Sequence, residues 1–248
     1  MQIICDNNIQ NDLIMILQHS NEISYHIFSV VLIAIMVALV GIFTGHTLKR
    51  YITYRNKPAL FLTLNYMCYI VALITHFVAH LSAVILDLET QLYTDLTMFA
   101  NVFILFGMVL AILLYDQFAK TLKWIKFTFI ILGLLFSGFV FAQFFILGYQ
   151  SLLLRISIYI IMTLYAFAIY GSLTVLFYQA FRQTEEKKKE LGALVIGNLL
   201  WILHFFLRII HGMIDIDLIE ISANFLMIFI FICYFLGLFL FPKQRREK

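Results

Sequence analysis

The feature that most constrains this chain is a series of long apolar runs separated by short polar segments. A helix needs about 20 apolar residues to cross the roughly 30 Å hydrocarbon core of a bilayer. Seven runs reach that length, at about 26–48, 59–83, 96–118, 125–147, 152–180, 192–213 and 219–241. Backbone amides in lipid must be hydrogen-bonded within their own segment, so each run is predicted to be a transmembrane helix.

Composition excludes the soluble alternatives. Hydrophobic residues make up 63% of the chain and charged residues 12%, whereas a soluble domain has about 45–50% and about 25%. A soluble enzyme, a coiled coil and a disordered chain are therefore excluded. We predict an all-α, seven-helix bundle in the cell membrane at 26–241, after a short extracellular segment at 1–25 and before a basic cytoplasmic tail at 242–248. For residues 9–17, an interfacial helix and disorder both stay open, and we favour disorder.

The positions of the Lys and Arg residues predict the orientation. Fifteen of the seventeen lie in segments 49–57, 120–126, 182–189 and 243–248, which alternate with the spans and so share one side of the membrane. The positive-inside rule makes that side cytoplasmic, with the N-terminus outside and the C-terminus inside. The net charge of +3 is too small to indicate nucleic acid, so the predicted partner is the lipid bilayer.

Polar residues inside the spans are the candidate functional groups, because such residues are costly in lipid. Helical spacing puts several of them on shared faces near the outer ends of their spans. The candidate ligand-binding residues are His76, His80, His204, Arg208, His211, Glu220, Asn224 and Asn101. If these faces point inward, the outer third of the bundle is a polar vestibule above an apolar floor.

Simpler explanations of the same residues stay open. Snorkelling toward the headgroups explains His80 and His211 without any site. Interhelical hydrogen bonding alone explains His76 and His204. We expect Arg208 to pair with Glu220 or Asp217, because a cation near lipid needs a carboxylate or water.

These residues bear on three kinds of cofactor: a metal ion, haem and retinal. A metal ion could bind His76 and His80, which lie one turn apart, with His204 or Glu220 completing the set, although no HExxH motif is present. Haem could take His76 and His204 as axial ligands. A retinal Schiff base is excluded, because it needs a Lys within a span and every Lys lies in a cytoplasmic segment or the tail. The cofactor therefore stays unknown.

Two stretches carry a resemblance to a known class of protein. RNKPALFLTLNYMCYIVALITHF, at 55–77, and FILFGMVLAILLYDQF, at 103–118, resemble the seven-helix sensory regions of archaeal and bacterial membrane proteins, which are often attached to histidine kinases. The resemblance covers roughly 26–241 and implies a sensor. Such families place an output domain after span seven, whereas this sequence stops at Lys248. A signal is therefore expected to pass to a separate cytoplasmic signalling partner.

The function predicted from the sequence is that of a seven-helix sensor or receptor-like protein, which binds a ligand, proton or ion in the vestibule. A small-solute transporter or ion channel is the alternative, and its route through the inner half would use Asn65, Asn198 and Asp116. A metal- or haem-dependent membrane enzyme is the third class.

Overall fold

The computed structural model describes residues 2–55, 57–86, 91–115, 123–142, 152–183, 185, 188–214 and 217–237. Seven helices lie within these ranges: α1 (Gln2–Tyr54), α2 (Lys57–Leu86), α3 (Gln91–Tyr115), α4 (Lys123–Ala142), α5 (Leu152–Gln183), α6 (Lys188–Ile214) and α7 (Asp217–Phe235). The described part of the chain contains no strand, so the all-α prediction is confirmed there.

Six of these helices are long and apolar enough to cross a membrane. Their apolar lengths are Ile23–Tyr54, Lys57–Leu86, Asp95–Leu113, Ser157–Gln183, Lys188–His211 and Leu218–Phe235. The protein is therefore a multi-pass membrane protein. In α4 the apolar helix Lys126–Ala142 is shorter, and the predicted span at 125–147 continues beyond the described residues.

The first helix is longer than its apolar run. It is helical from Gln2, so the preference for disorder at residues 9–17 was wrong. The reason lies in the sequence, where no Gly or Pro interrupts the chain before Gly41. At its other end α1 ends at Tyr54, and the next residue, Arg55, has a positive φ of 51°. Pro58 then occupies the first turn of α2, where no backbone N–H is needed.

The helices pack into a closed ring. Along the chain α1 packs on α2, α2 on α3, α5 on α6 and α6 on α7, while α3 packs on both α4 and α5. The ring closes because α7 packs on α1. Large apolar side chains such as Ile42, Leu164 and Phe229 stay mostly exposed on its outside, as lipid contact requires.

An aromatic layer crosses the interior of the ring and forms the floor of the candidate site. It consists of Tyr69, Tyr170, Trp201 and Phe205. The Trp201 ring stacks on Tyr69 and on Tyr170, each with a centroid separation of 5.3 Å, and on Phe205 at 5.6 Å. The Tyr69 and Tyr170 hydroxyls are hydrogen-bonded at 2.8 Å. This layer links α2, α5 and α6 and satisfies two hydroxyls that would otherwise be unpaired in the interior.

Candidate functional site

The site is built around the buried carboxylate of Glu220, near the start of α7. Its Oε1 accepts a hydrogen bond from Arg208 Nη1 of α6, and its Oε2 accepts one from the Tyr25 hydroxyl of α1. His211 Nε2, also on α6, lies 3.1 Å from Oε2. The expected pairing of Arg208 with Glu220 is confirmed. A single carboxylate therefore connects three helices inside the bundle.

A pair of histidines adjoins this carboxylate network. His26 Nδ1 of α1 lies 2.9 Å from His80 Nδ1 of α2. Since two imidazole nitrogens make a hydrogen bond only when one carries the proton, one ring donates and the other accepts. Tyr93 of α3 packs edge-on against both rings, with centroid separations of 5.4 Å and 5.2 Å. The pair thus joins α1 to α2 and is covered by α3.

His204 connects the site to the aromatic layer. Its Nδ1 lies 2.9 Å from the backbone oxygen of Ala223 in α7. A carbonyl oxygen only accepts hydrogen bonds, so this geometry assigns the proton to Nδ1. The His204 ring also meets Trp201 edge-on, with a centroid separation of 5.5 Å. His204 is therefore in direct contact with the aromatic layer that forms the floor of the site.

A small cavity lies between these groups. About 20 Å³ of it is open to a water-sized molecule. Apolar side chains from α1, α2, α3 and α7 form much of its wall, and Tyr69 of the aromatic layer contributes as well. Its polar lining consists of His76, His80, His204, Arg208, Glu220 and Asn224. We call this set, together with Tyr25, His26 and His211, the polar cluster.

Three atoms of the polar cluster stand out because they are buried and unsatisfied. Within the described residues, His76 Nε2, His80 Nε2 and Asn224 Nδ2 have no hydrogen-bond partner. All three side chains line the cavity. Buried polar groups are nearly always hydrogen-bonded, so three such atoms around one cavity indicate a site that can accept a further partner.

The structure brings together most of the candidate residues proposed from sequence. Six of the eight line the cavity, and His211 reaches it through Glu220. Asn101 is not part of the lining, and its Nδ2 lies 3.5 Å from Met98 Sδ of its own helix. The expected wide vestibule is also replaced by a small cavity, because the charged groups pack directly on one another.

Sequence reasoning missed the contribution of α1 and α3. Tyr25 and His26 fall at the predicted boundary of span one, so neither was a candidate, and Tyr93 was overlooked as well. The signal that could have found the first two is the continuity of helix before residue 26. That continuity places both residues well inside α1, facing α2 and α7.

A metal or haem centre does not fit the observed geometry. No group of three or more His, Cys, Asp and Glu residues is arranged to hold a metal ion in the part of the chain that the structure describes. His76, His80 and His204 are therefore not assembled as a ligand set, and His80 instead turns its Nδ1 to His26. A haem cannot fit between His76 and His204, because only about 20 Å³ is open there.

Two of the residues proposed for a transport route, Asn65 and Asn198, lie on the other side of the aromatic layer. Asn65 Nδ2 of α2 donates to the backbone oxygen of Gly107 in α3. Asn198 Nδ2 donates to the Leu194 oxygen at 2.9 Å, and its Oδ1 accepts a hydrogen bond from the Tyr234 hydroxyl. Asp116 lies outside the described residues.

Comparison with known proteins found no match, so the function has to be argued from the geometry of the site. No family model, curated protein or solved structure matches the chain.

Proposed function

We propose that this multi-pass membrane protein is a sensor or receptor-like protein, and that its stimulus acts at the polar cluster. The observation that carries the proposal is the buried Glu220 network, which ties α1, α6 and α7 together beside imidazoles with unsatisfied nitrogens. Ionisable residues within membrane spans are costly and usually functional. The resemblance of the layout to prokaryotic seven-helix sensory regions supports the same role.

The size of the cavity favours a proton as the stimulus. Pockets for metabolites have volumes of about 300–1,000 Å³, far above the 20 Å³ open here. Histidine is the side chain whose charge changes most readily near neutral pH. Three histidines of the polar cluster make side-chain contacts between helices, His26 with His80 and His211 with Glu220, so a proton gained there alters several of them at once.

Helix α6 offers the simplest route for the signal. It supplies His204, Arg208 and His211 to the polar cluster and begins at the opposite end of the bundle with Lys188 and Lys189. A helix transmits a shift along its axis as a nearly rigid rod. We expect the basic end of α6 and its neighbours to contact a separate cytoplasmic signalling partner.

Trp201 supplies a direct test. The sequence has two tryptophans, so a Trp124→Phe chain leaves Trp201 as the sole reporter. The full chain in nanodiscs is titrated from pH about 5 to 8, and then with sodium and calcium salts at fixed pH. We expect the Trp201 emission to change in the pH titration and to stay constant in the salt titrations.

Matched histidine variants identify the origin of that change. The substitutions His76→Gln and His204→Gln should abolish the change in Trp201 emission. The control is His46→Gln, at an exposed position toward the other end of α1, which should retain the change. An emission that is constant under all conditions contradicts the proposal. A response that persists in both cluster variants contradicts it as well.

The orientation is a further part of the proposal. The basic segments should face the cytoplasm and the polar cluster the outside. In a chain without its native cysteines, Glu185→Cys should be protected in intact cells from a membrane-impermeant maleimide, and Leu218→Cys should be labelled. Both positions are exposed in the structure. The reverse labelling pattern would invert the topology and place the site on the cytoplasmic side.

Transport is the second candidate, and one observation favours it. Tyr69 lines the cavity, and its hydroxyl is paired with that of Tyr170, so hydrogen-bonding groups continue from the cavity into the aromatic layer. Beyond that layer lie Asn198 and Tyr234. Ion flux into proteoliposomes that disappears in Asn198→Leu would support a transporter over a sensor. Trp201 emission that responds without any flux would support the sensor.

A further inference from the structure

The three unsatisfied atoms of the cavity come from two helices. His76 Nε2 and His80 Nε2 lie one turn apart on α2, and Asn224 Nδ2 lies on α7. Leaving a buried polar atom without a partner destabilises a fold, because the atom has lost its hydrogen bonds to water. The three atoms surround one cavity, so a single shared partner would satisfy all three together.

The volume restricts that partner to a very small molecule. A site needs about 10–15 Å³ of accessible space for one water molecule, and about 20 Å³ is open here. The wall includes apolar side chains such as Ile33, Leu73 and Met227, which leave the partner no other polar contacts on their side. One or two molecules of the size of water fit.

The charges around the cavity favour a neutral molecule. Glu220 already accepts hydrogen bonds from Tyr25 and Arg208 and contacts His211, so its charge is compensated. Arg208 also lines the cavity and would repel a cation placed beside it. The ion pair therefore leaves no net charge for an ion to neutralise.

Hydrogen-bonding capacity points to the same molecule. The amide Nδ2 of Asn224 can only donate, while a neutral imidazole Nε2 either donates or accepts, according to its tautomer. The partner must therefore accept from Asn224, and a partner that can both donate and accept suits either imidazole tautomer. A water molecule does both, with two donors and two acceptors.

We propose that this cavity is a binding site for water, held by His76 Nε2, His80 Nε2 and Asn224 Nδ2. The bound water joins α2 to α7. It also extends the direct His26–His80 hydrogen bond to His76, which makes one hydrogen-bonded chain from α1 along one turn of α2. The proposal concerns hydration of the cavity and holds whether or not the polar cluster is a sensing site.

Buried methionines provide the test. Met36 and Met227 line the cavity at 0% and 5% exposure, while Met98 and Met108 are equally buried, at 1% and 0%, away from it. A brief X-ray pulse converts bound water to hydroxyl radicals that oxidise adjacent side chains, and mass spectrometry locates the products. In the full chain in nanodiscs, we expect Met36 and Met227 to be oxidised several-fold more than Met98 and Met108. Equal labelling of all four overturns the proposal.

A substitution at the site makes the test specific. Asn224→Leu removes Nδ2 and places apolar volume beside the cavity, so oxidation of Met36 and Met227 should fall to the level of the two control methionines. The matched variant is Ser222→Ala, at an exposed position of α7, which should leave the pattern unchanged. If Asn224→Leu folds and keeps the original labelling, the assigned amide is wrong. The Trp201 emission does not depend on this labelling, so the sensing proposal is tested separately from the hydration of the cavity.

Discussion

Removal of one partner from the Arg208–Glu220 pair gives the sharpest test of the polar cluster. Both side chains are nearly buried, with exposures of 13% and 4%, in a region that the structure encloses with helices. Arg208→Met and Glu220→Met preserve most of the side-chain length while deleting one charge. The double variant deletes both charges together. The three proteins form a double-mutant cycle with the original chain.

The expected magnitude follows from the surroundings of each group. Breaking a buried ion pair by removing one partner costs about 3–5 kcal/mol, because a charge is left uncompensated. After Arg208→Met, Glu220 still has Tyr25 and His211, so we expect the lower end, about 3 kcal/mol. Replacing both partners by apolar residues is often close to neutral. The double variant should therefore be more stable than either single variant.

The assay is unfolding from mixed detergent micelles, followed by Trp201 emission in the Trp124→Phe chain. A surface pair supplies the control, since Lys188 Nζ lies 2.6 Å from Glu185 Oε1 with side-chain exposures of 44% and 84%. Such exposed pairs contribute about 0–1 kcal/mol, so Lys188→Met should have little effect. The reasoning is refuted if Arg208→Met costs no more than Lys188→Met, or if the two cluster substitutions are simply additive.

Two further predictions concern the packing of the bundle. A Cβ at Gly133 of α4 would lie 2.3 Å from the Tyr165 hydroxyl, whereas one at Gly138 meets nothing within 4 Å. Gly133→Ala should therefore lower the melting temperature in detergent, by overpacking that costs about 1–3 kcal/mol, while Gly138→Ala should be neutral or slightly stabilising. Tyr170→Phe should cost about 1–3 kcal/mol by leaving the Tyr69 hydroxyl unpaired, and additional Tyr69→Phe should recover much of that loss; equal stability of the single and double variants would contradict this.

The helices were largely predictable because lipid imposes a simple length rule. The predicted run 59–83 matches Lys57–Leu86, and 192–213 matches Lys188–Ile214. The run 26–48 underestimated α1, which is Gln2–Tyr54. Hydropathy reports only the part of a helix that faces lipid. The helix itself continues into polar sequence, and α1 ends only at Tyr54, shortly before Pro58.

The site was predictable where charge forced a pairing. Arg208 and Glu220 lie on adjacent helices and both are costly in lipid, so their contact followed from their depth. Asn101 does not line the cavity, because spacing gives the face of a helix but not how that face is rotated relative to its neighbours. The size of the cavity was also beyond the sequence, since it depends on how closely side chains from several helices pack.

The polar cluster and the aromatic layer are joined by one face of α6, and this arrangement explains how a buried event could reach the far end. Arg208 and His204 belong to the cluster, Trp201 to the layer, and Asn198 contacts Tyr234 beyond it. Four contacts at helical spacing on one rod cannot adjust independently. An axial shift or rotation of α6 that relaxes the Glu220 contact must also strain the stacking of Trp201 and the Asn198 hydrogen bond. Helix α6 therefore makes contacts on both sides of the aromatic layer, and the proposed sensing role requires that a shift of α6 changes both sets together.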